Sequence, residues 1–153
     1  MTMPETCDQS AEFLTDLCRS LGLSLQVSTS VTAEGCRLEI DGADADLLIA
    51  QGGELLDAVQ HLLNQIFSAG HGGQRLVCDA RGFRATREAE LRAMASHAAQ
   101  RVRSTGLPFS FGPMSANERR IIHLALANEA DLQTESIGEG AARKLRVALA
   151  KAG

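Results

Sequence analysis

The sequence predicts an α+β fold built from two small units, and three observations carry that reading. First, stretches of helical and of strand periodicity alternate in both halves of the chain. Second, 153 residues suffice for one ordinary domain or two very small ones. Third, charge divides along the chain. Residues 1–60 hold eleven acidic and two basic side chains, a net of −9, whereas 61–153 hold eight acidic and thirteen basic ones, a net of +5. The overall charge of −4 would argue against a polyanionic partner, but the split keeps one open for the C-terminal part.

The first unit reads helix, strand, strand, helix or turn, helix, strand. Residues 1–10 read as loosely ordered. Over 11–21, Phe13, Leu14, Leu17 and Leu21 recur at three and four, making one apolar stripe that Gly22 ends. Residues 23–31 and 36–41 alternate apolar and polar side chains, and the intervening TAEG suits a hairpin turn. Residues 54–67 return to helical spacing, with Leu55, Leu56, Val59, Leu62, Leu63, Ile66 and Phe67 forming a broad core face. The GHGG run at 70–73 stops that helix, and 74–79 make a short strand that Asp79 terminates.

The second unit begins near Phe83. Leu91, Met94, Ala95, Ala98 and Val102 share a helix face, leaving Arg84, Arg87 and Arg101 mostly to solvent, before Gly106 and Pro108 end the helix. A short extended piece, PFSFG, leads to GPMSANERRIIHLALAN at 112–128. There Ser115 and Glu118 have the spacing of a reciprocal capping box, so Ser115 starts a helix. Its core side reads as Ile121, Leu124 and Ala125, with Ile122 and Leu126 at the flanks. Two strands follow, 132–137 and 143–149, joined at GEG.

Composition narrows the chemistry. The sequence has five Phe and no Tyr or Trp, too few for an extended base-stacking platform, so Phe83, Phe109 and Phe111 read as packing residues first. Nothing approaches the 18 or so consecutive apolar residues of a membrane span, and MTMPETCDQS does not read as a signal peptide. Cys7, Cys18, Cys36 and Cys78 show no CxxC spacing, and reduced thiols are the simpler reading. His61, His71, His97 and His123 neither cluster nor form HExxH, and no phosphate-binding glycine motif is present. No metal, cofactor or catalytic residue is therefore expected. Ser115, His123 and Asp131 can be drawn as a triad, but a helix cap explains the serine better.

Arg119 and His123 stand one turn apart on one helix side. A guanidinium and an imidazole gain little from each other. They suit a shared anion such as phosphate, or a carboxylate such as Glu135. A solvated arginine beside a boundary histidine is the plain alternative.

Arg119-x-x-x-His123, set in SANERRIIHLAL and followed by TESIG at 134–138, resembles the single-stranded nucleic-acid-binding domain named for that motif, R-3-H. Upstream, DADLLIAQGGELLDAVQHLLN resembles the KH segment of the bacterial Jag family, and CDARGFRATREAELRAMASHAAQRV and PMSANERRIIHLAL resemble the same family in order. The resemblance covers roughly 11–149. It implies a type II KH-like domain (α-β-β-α-α-β) over 11–82, then an R-3-H domain over 83–150 with helices on a small sheet. It further implies a cytoplasmic, non-catalytic regulator that binds RNA or single-stranded DNA. Family members often carry an additional N-terminal domain and linker, and membrane-proximal interactions are not carried over.

Arg119 and His123 are the implied phosphate contacts, with Arg120 adding positive potential. Arg84 and Arg87 would extend the patch, as would Lys144 and Arg146, which share a strand face. The KH loop departs from the family. A KH domain uses Gly-x-x-Gly to approach the nucleic-acid backbone, but here stand Ala50, Gln51, Gly52 and Gly53, flanked by Asp44, Asp46, Glu54 and Asp57. The first unit therefore reads either as a weakened nucleic-acid contact or as a surface for a homodimer or another KH protein. A protein adaptor is the alternative function.

Overall fold

The computed structural model describes residues 2–69 and 74–151; the GHGG run at 70–73, expected to stop a helix, lies outside the described residues. The chain divides into two compact units, Met1–Arg84 and Ala85–Gly153. Both are α+β.

In the first unit, α1 (Met3–Ser20) starts far earlier than the apolar stripe suggested. Thr2 Oγ1 accepts a hydrogen bond from the Glu5 amide, and the Glu5 carboxylate accepts one from the Thr2 amide at 2.7 Å. This capping box orders a segment expected to be loose. The buried side is Met3, Thr6, Cys7, Ser10, Leu14 and Cys18, whereas Phe13 and Leu21 are exposed. Cysteines and small hydroxyl residues extend the stripe where a count of large apolar residues sees nothing.

Strands β1 (Gln26–Thr32) and β2 (Gly35–Asp41) pair antiparallel from Gln26 against Asp41 to Thr32 against Gly35. β3 (Arg75–Ala80) joins β2 in parallel, giving the order β1-β2-β3. Helix α2 (Ala45–Phe67) connects β2 to β3 and is broken at 50–53, so it consists of two helical arms. Leu14, Leu38, Ile40, Leu56, Leu63 and Leu76 fill the core between the helices and one sheet face.

Two expectations are corrected here. Cys7 and Cys36 are a disulfide, with Cα atoms 5.5 Å apart, because α1 packs over β1 and β2 and brings together positions 29 residues apart. Cys18 and Cys78 are buried thiols, and burial pushes Cys78 up to about 12, so it is not a nucleophile at neutral pH. Asp79, read as a strand terminator, is a buried carboxylate inside β3. It accepts from the amides of Ala80 and Arg84 and from Arg37 Nη2 at 2.9 Å.

In the second unit, α3 (Phe83–Thr105) buries Leu91, Ala95, Ala98, Ala99 and Val102, while Met94 is exposed. β4 (Phe109–Ser110), β5 (Leu132–Ile137) and β6 (Lys144–Leu149) form an antiparallel sheet ordered β4-β6-β5, and a single 3-10 turn (Gly140–Ala142) precedes β6. α4 (Ala116–Leu126) lies between β4 and β5 in sequence and packs against β5. Ile122 and Leu126 are its buried residues, Ile121 is half-buried, and Leu124 and Ala125 face solvent. The core stripe is thus rotated by about one residue from the expected one. Phe109 and Phe111 pack edge to face at 5.1 Å, and Arg101 lies over Phe109, so both rings serve packing.

Candidate nucleic-acid interface

The start of α4 fixes the site. Ser115 has extended backbone and accepts the Glu118 amide at 3.2 Å. Only this half of the expected box forms. The Glu118 carboxylate turns instead to Arg87, accepting from Nε at 2.7 Å, and joins the beginnings of α3 and α4. The drawn triad is not assembled either, since Ser115 caps the helix and Asp131 pairs with Arg103.

Three side chains proposed from sequence converge. Arg119, Arg120 and His123 line one open cavity of about 580 Å³, together with Asn117 of α4, Thr134, Glu135 and Ser136 of β5, and Leu145. Arg119 Nη1 donates to the Met114 carbonyl at 2.6 Å, and the Met114 amide in turn donates to the Arg143 carbonyl. One guanidinium N–H is thereby anchored, and four of the five remain for a ligand. His123 Nδ1 lies 2.5 Å from Thr134 Oγ1, which leaves Nε2 as the ring nitrogen that Thr134 does not hold. No motif in the sequence marks Thr134 and Ser136 for the site, although strand alternation in TESIG places both on one face.

Pairing sorts the other cations. Arg84, expected to face solvent, is half-buried within the first unit. It donates to the Cys78 carbonyl at 2.7 Å, Asp57 at 2.7 Å and Gln60 at 3.1 Å. Arg87 is likewise half-buried between Glu118 and Glu90. Lys144 and Arg146 share a face of β6 opposite buried Leu145 and Val147, and Arg146 pairs with Glu135 at 3.0 Å.

Residues 85–153 hold ten basic and seven acidic side chains. Four arginines, Arg87, Arg92, Arg103 and Arg146, engage six of those carboxylates. Among the described residues, Arg101, Arg119, Arg120, Arg143, Lys144 and Lys151 have no carboxylate partner. The cavity's arginines belong to this uncompensated set.

The KH-like loop is a tight left-handed turn. Ala50 is extended (φ −61°, ψ 153°), and Gln51, Gly52 and Gly53 follow at φ 54°, 70° and 80°. Ala50 and Gln51 are exposed, and Gly53 is buried under the Phe83 ring. Three of the four flanking carboxylates are engaged: Asp44 accepts the Ser24 amide, Asp46 pairs with Arg81, and Asp57 with Arg84. Glu54 is exposed. The loop carries no cation, and less free negative charge than its sequence suggests. Among the described residues no group of three or more His, Cys, Asp or Glu could hold a metal ion, and no helix is long and apolar enough to cross a membrane.

With Thr134→Val, His123 loses the partner that orients its ring. The ring's tautomer balance is expected to shift, while Thr134→Ser keeps it. Imidazole nitrogen shifts measured by NMR check this, since only the valine variant should move them.

The family model of the R-3-H domain matches residues 89–149. The chain is 29% identical over 145 residues to RNA-binding protein KhpB of Clostridium symbiosum, covering 93% of this chain and 65% of that protein. It is 30% identical over 141 residues to RNA-binding protein KhpB of Bacillus subtilis, covering 90% of this chain and 67% of that protein. The corresponding protein of Lactiplantibacillus plantarum is 30% identical over 142 residues, 92% of this chain and 44% of that protein. This chain thus spans roughly half to two thirds of these relatives' length. Coverage of nearly the whole chain, an R-3-H match over the unit that carries Arg119 and His123, and a break between two helical arms at the KH-loop position agree, and the chain belongs to the Jag family, that of the KhpB proteins.

Proposed function

We propose that this protein binds RNA or single-stranded DNA without chemical turnover, through the face formed by α4 and β5. The observation that carries the reading is the cavity in which Arg119, Arg120 and His123 meet the hydroxyl residues Thr134 and Ser136. Phosphate oxygens accept from arginine through two parallel hydrogen bonds, and a histidine N–H and hydroxyls complete such a set. The names of the KhpB relatives, each an RNA-binding protein, support the same class of ligand. Readout of base sequence is modest, because both Phe109 and Phe111 are engaged in packing. The KH-like loop offers a strand backbone contacts only, and its main work is to turn the chain between the two arms of α2.

The test is a titration of short RNA and single-stranded DNA over a salt series with the full chain. Arg119→Ala and His123→Ala are each expected to weaken binding about tenfold or more, from a charge-assisted hydrogen bond of about 1.5–3 kcal/mol. Loss of one phosphate contact on a single strand should flatten the logarithmic salt slope by about 0.7. Arg92→Ala, whose side chain pairs with Glu88, is the control and should bind as the parent does. Unchanged affinity in both site variants would remove this face from the interaction.

A further inference from the structure

β1 is an edge strand without the features that keep edges apart. It borders β2 on one side, and no described strand pairs with the other. Every residue of β1 except Val27 is exposed, Val31 at 50%. Its sequence, QVSTSVT, contains no charge, proline or glycine, and its seven-residue register with β2 runs without a bulge. Protected edges carry lysine, proline or a bulge, because alternate residues present unpaired N–H and C=O groups to solvent.

The sequence of this edge is also symmetric. Val27-Ser28-Thr29-Ser30-Val31 reads the same in both directions about Thr29. We infer that β1 is a self-association surface whose partner is a second copy of this chain, paired antiparallel about a two-fold axis through Thr29. A two-fold contact must be self-complementary, residue i facing j and j facing i. Centred on Thr29, the pairing sets Thr29 against its own copy, Ser28 against Ser30, and Val27 against Val31. Each is a like-with-like match with no charge to bury, and the β-branched pairs suit cross-strand contact. Val31, which faces Cys36 on β2, then gains a second apolar cross-strand neighbour on its open side. The two three-stranded sheets become one of six strands, and the helices remain on the same face of each.

The inference is independent of the nucleic-acid reading, because β1 and the Arg119 cavity lie in different units. Its test is the mass of the full chain in solution across a wide concentration range. The expected result is a transition towards twice the 16.3 kDa chain mass. Thr29→Lys, which sets two like charges against each other on the axis, should raise the dissociation constant about tenfold or more. An unchanged circular-dichroism spectrum shows that this variant is folded. Register is tested separately with a short thiol-specific bismaleimide, which the buried Cys18 and Cys78 do not reach. Thr29→Cys should link to itself. Gln26→Cys should link to Thr32→Cys in a mixture, and not to itself. A chain that stays monomeric at every concentration overturns the inference. So does a dimer that Thr29→Lys leaves intact, or self-linking of Gln26→Cys.

Discussion

Gly53→Val is expected to destabilise the first unit by about 3–5 kcal/mol, read as a lower denaturant midpoint. Two costs add. Gly53 sits at φ 80°, where an L side chain pays roughly 1–2 kcal/mol and a β-branched one more. A Cβ there would also stand 2.5 Å from Phe83 Cε1, and Phe83 packs against the buried cluster of Leu14, Leu38 and Leu56. Overpacking of this kind costs about 1–3 kcal/mol. The two contributions separate by comparison with Gly22, which has φ 73° and no atom within 4 Å of where a Cβ would stand. Gly22→Ala should report the backbone cost alone, and Gly53→Ala should exceed it by the contact cost. Equal losses at both positions would mean that the ring yields freely.

Reduction of the Cys7–Cys36 bond is expected to remove about 3.5 kcal/mol from the same unit. The figure follows from the entropy of closing a loop of this size in the unfolded chain, the cysteines being 29 positions apart. Both residues are 1% exposed, so the reductant acts on the opened chain and the loss develops slowly under native conditions. Denaturant unfolding with and without a thiol reductant measures the difference. The Cys7→Ala/Cys36→Ala protein supplies the control, since its midpoint should not respond to reductant. A parent protein equally indifferent to reductant would show that the bond contributes nothing to stability.

Much of this architecture is legible in the sequence, and where it is not, the reason is physical. The alternation in 23–31 and 36–41 locates β1 and β2 because one face of that sheet is apolar and the other polar. The break at 50–53 is legible because two adjacent glycines suit a left-handed turn, and Gln51 joins that turn at φ 54°. The beginning of α1 is hidden, since its buried stripe runs through Cys7, Ser10 and Cys18, which hydropathy alone does not mark as core. The disulfide is hidden for the same reason that any long-range contact is: spacing along the chain does not fix spacing in the fold. At the site, the one-turn separation of Arg119 and His123 reads directly. Arg84 and Arg87 look solvent-facing in the sequence because Asp57 and Gln60, which hold the one, and Glu118, which holds the other, lie more than twenty residues away, and the nearer Cys78 carbonyl and Glu90 do not by themselves mark either as half-buried. Helical periodicity of α4 likewise fixes that a stripe exists, but β5 and β6 decide that Ile122 rather than Leu124 fills it.

The pairing of carboxylates in the second unit changes what a distant polyanion experiences. Six of the seven acidic groups there lie within 3.3 Å of an arginine: Arg92–Glu88 and Arg146–Glu135 are dipoles, whose fields die away faster than that of a lone charge, while Arg87 and Arg103 each hold two carboxylates and keep one net negative charge. The six cations without such partners outweigh those two residual charges and Glu139, so residues 85–153 keep a net charge of +3. A protein with an isoelectric point near 5.5 can therefore behave as an anion on an ion-exchange column while its second unit is locally cationic enough to attract a phosphate backbone. Bulk acidity and local attraction are answers to different questions, and in this molecule they have opposite signs.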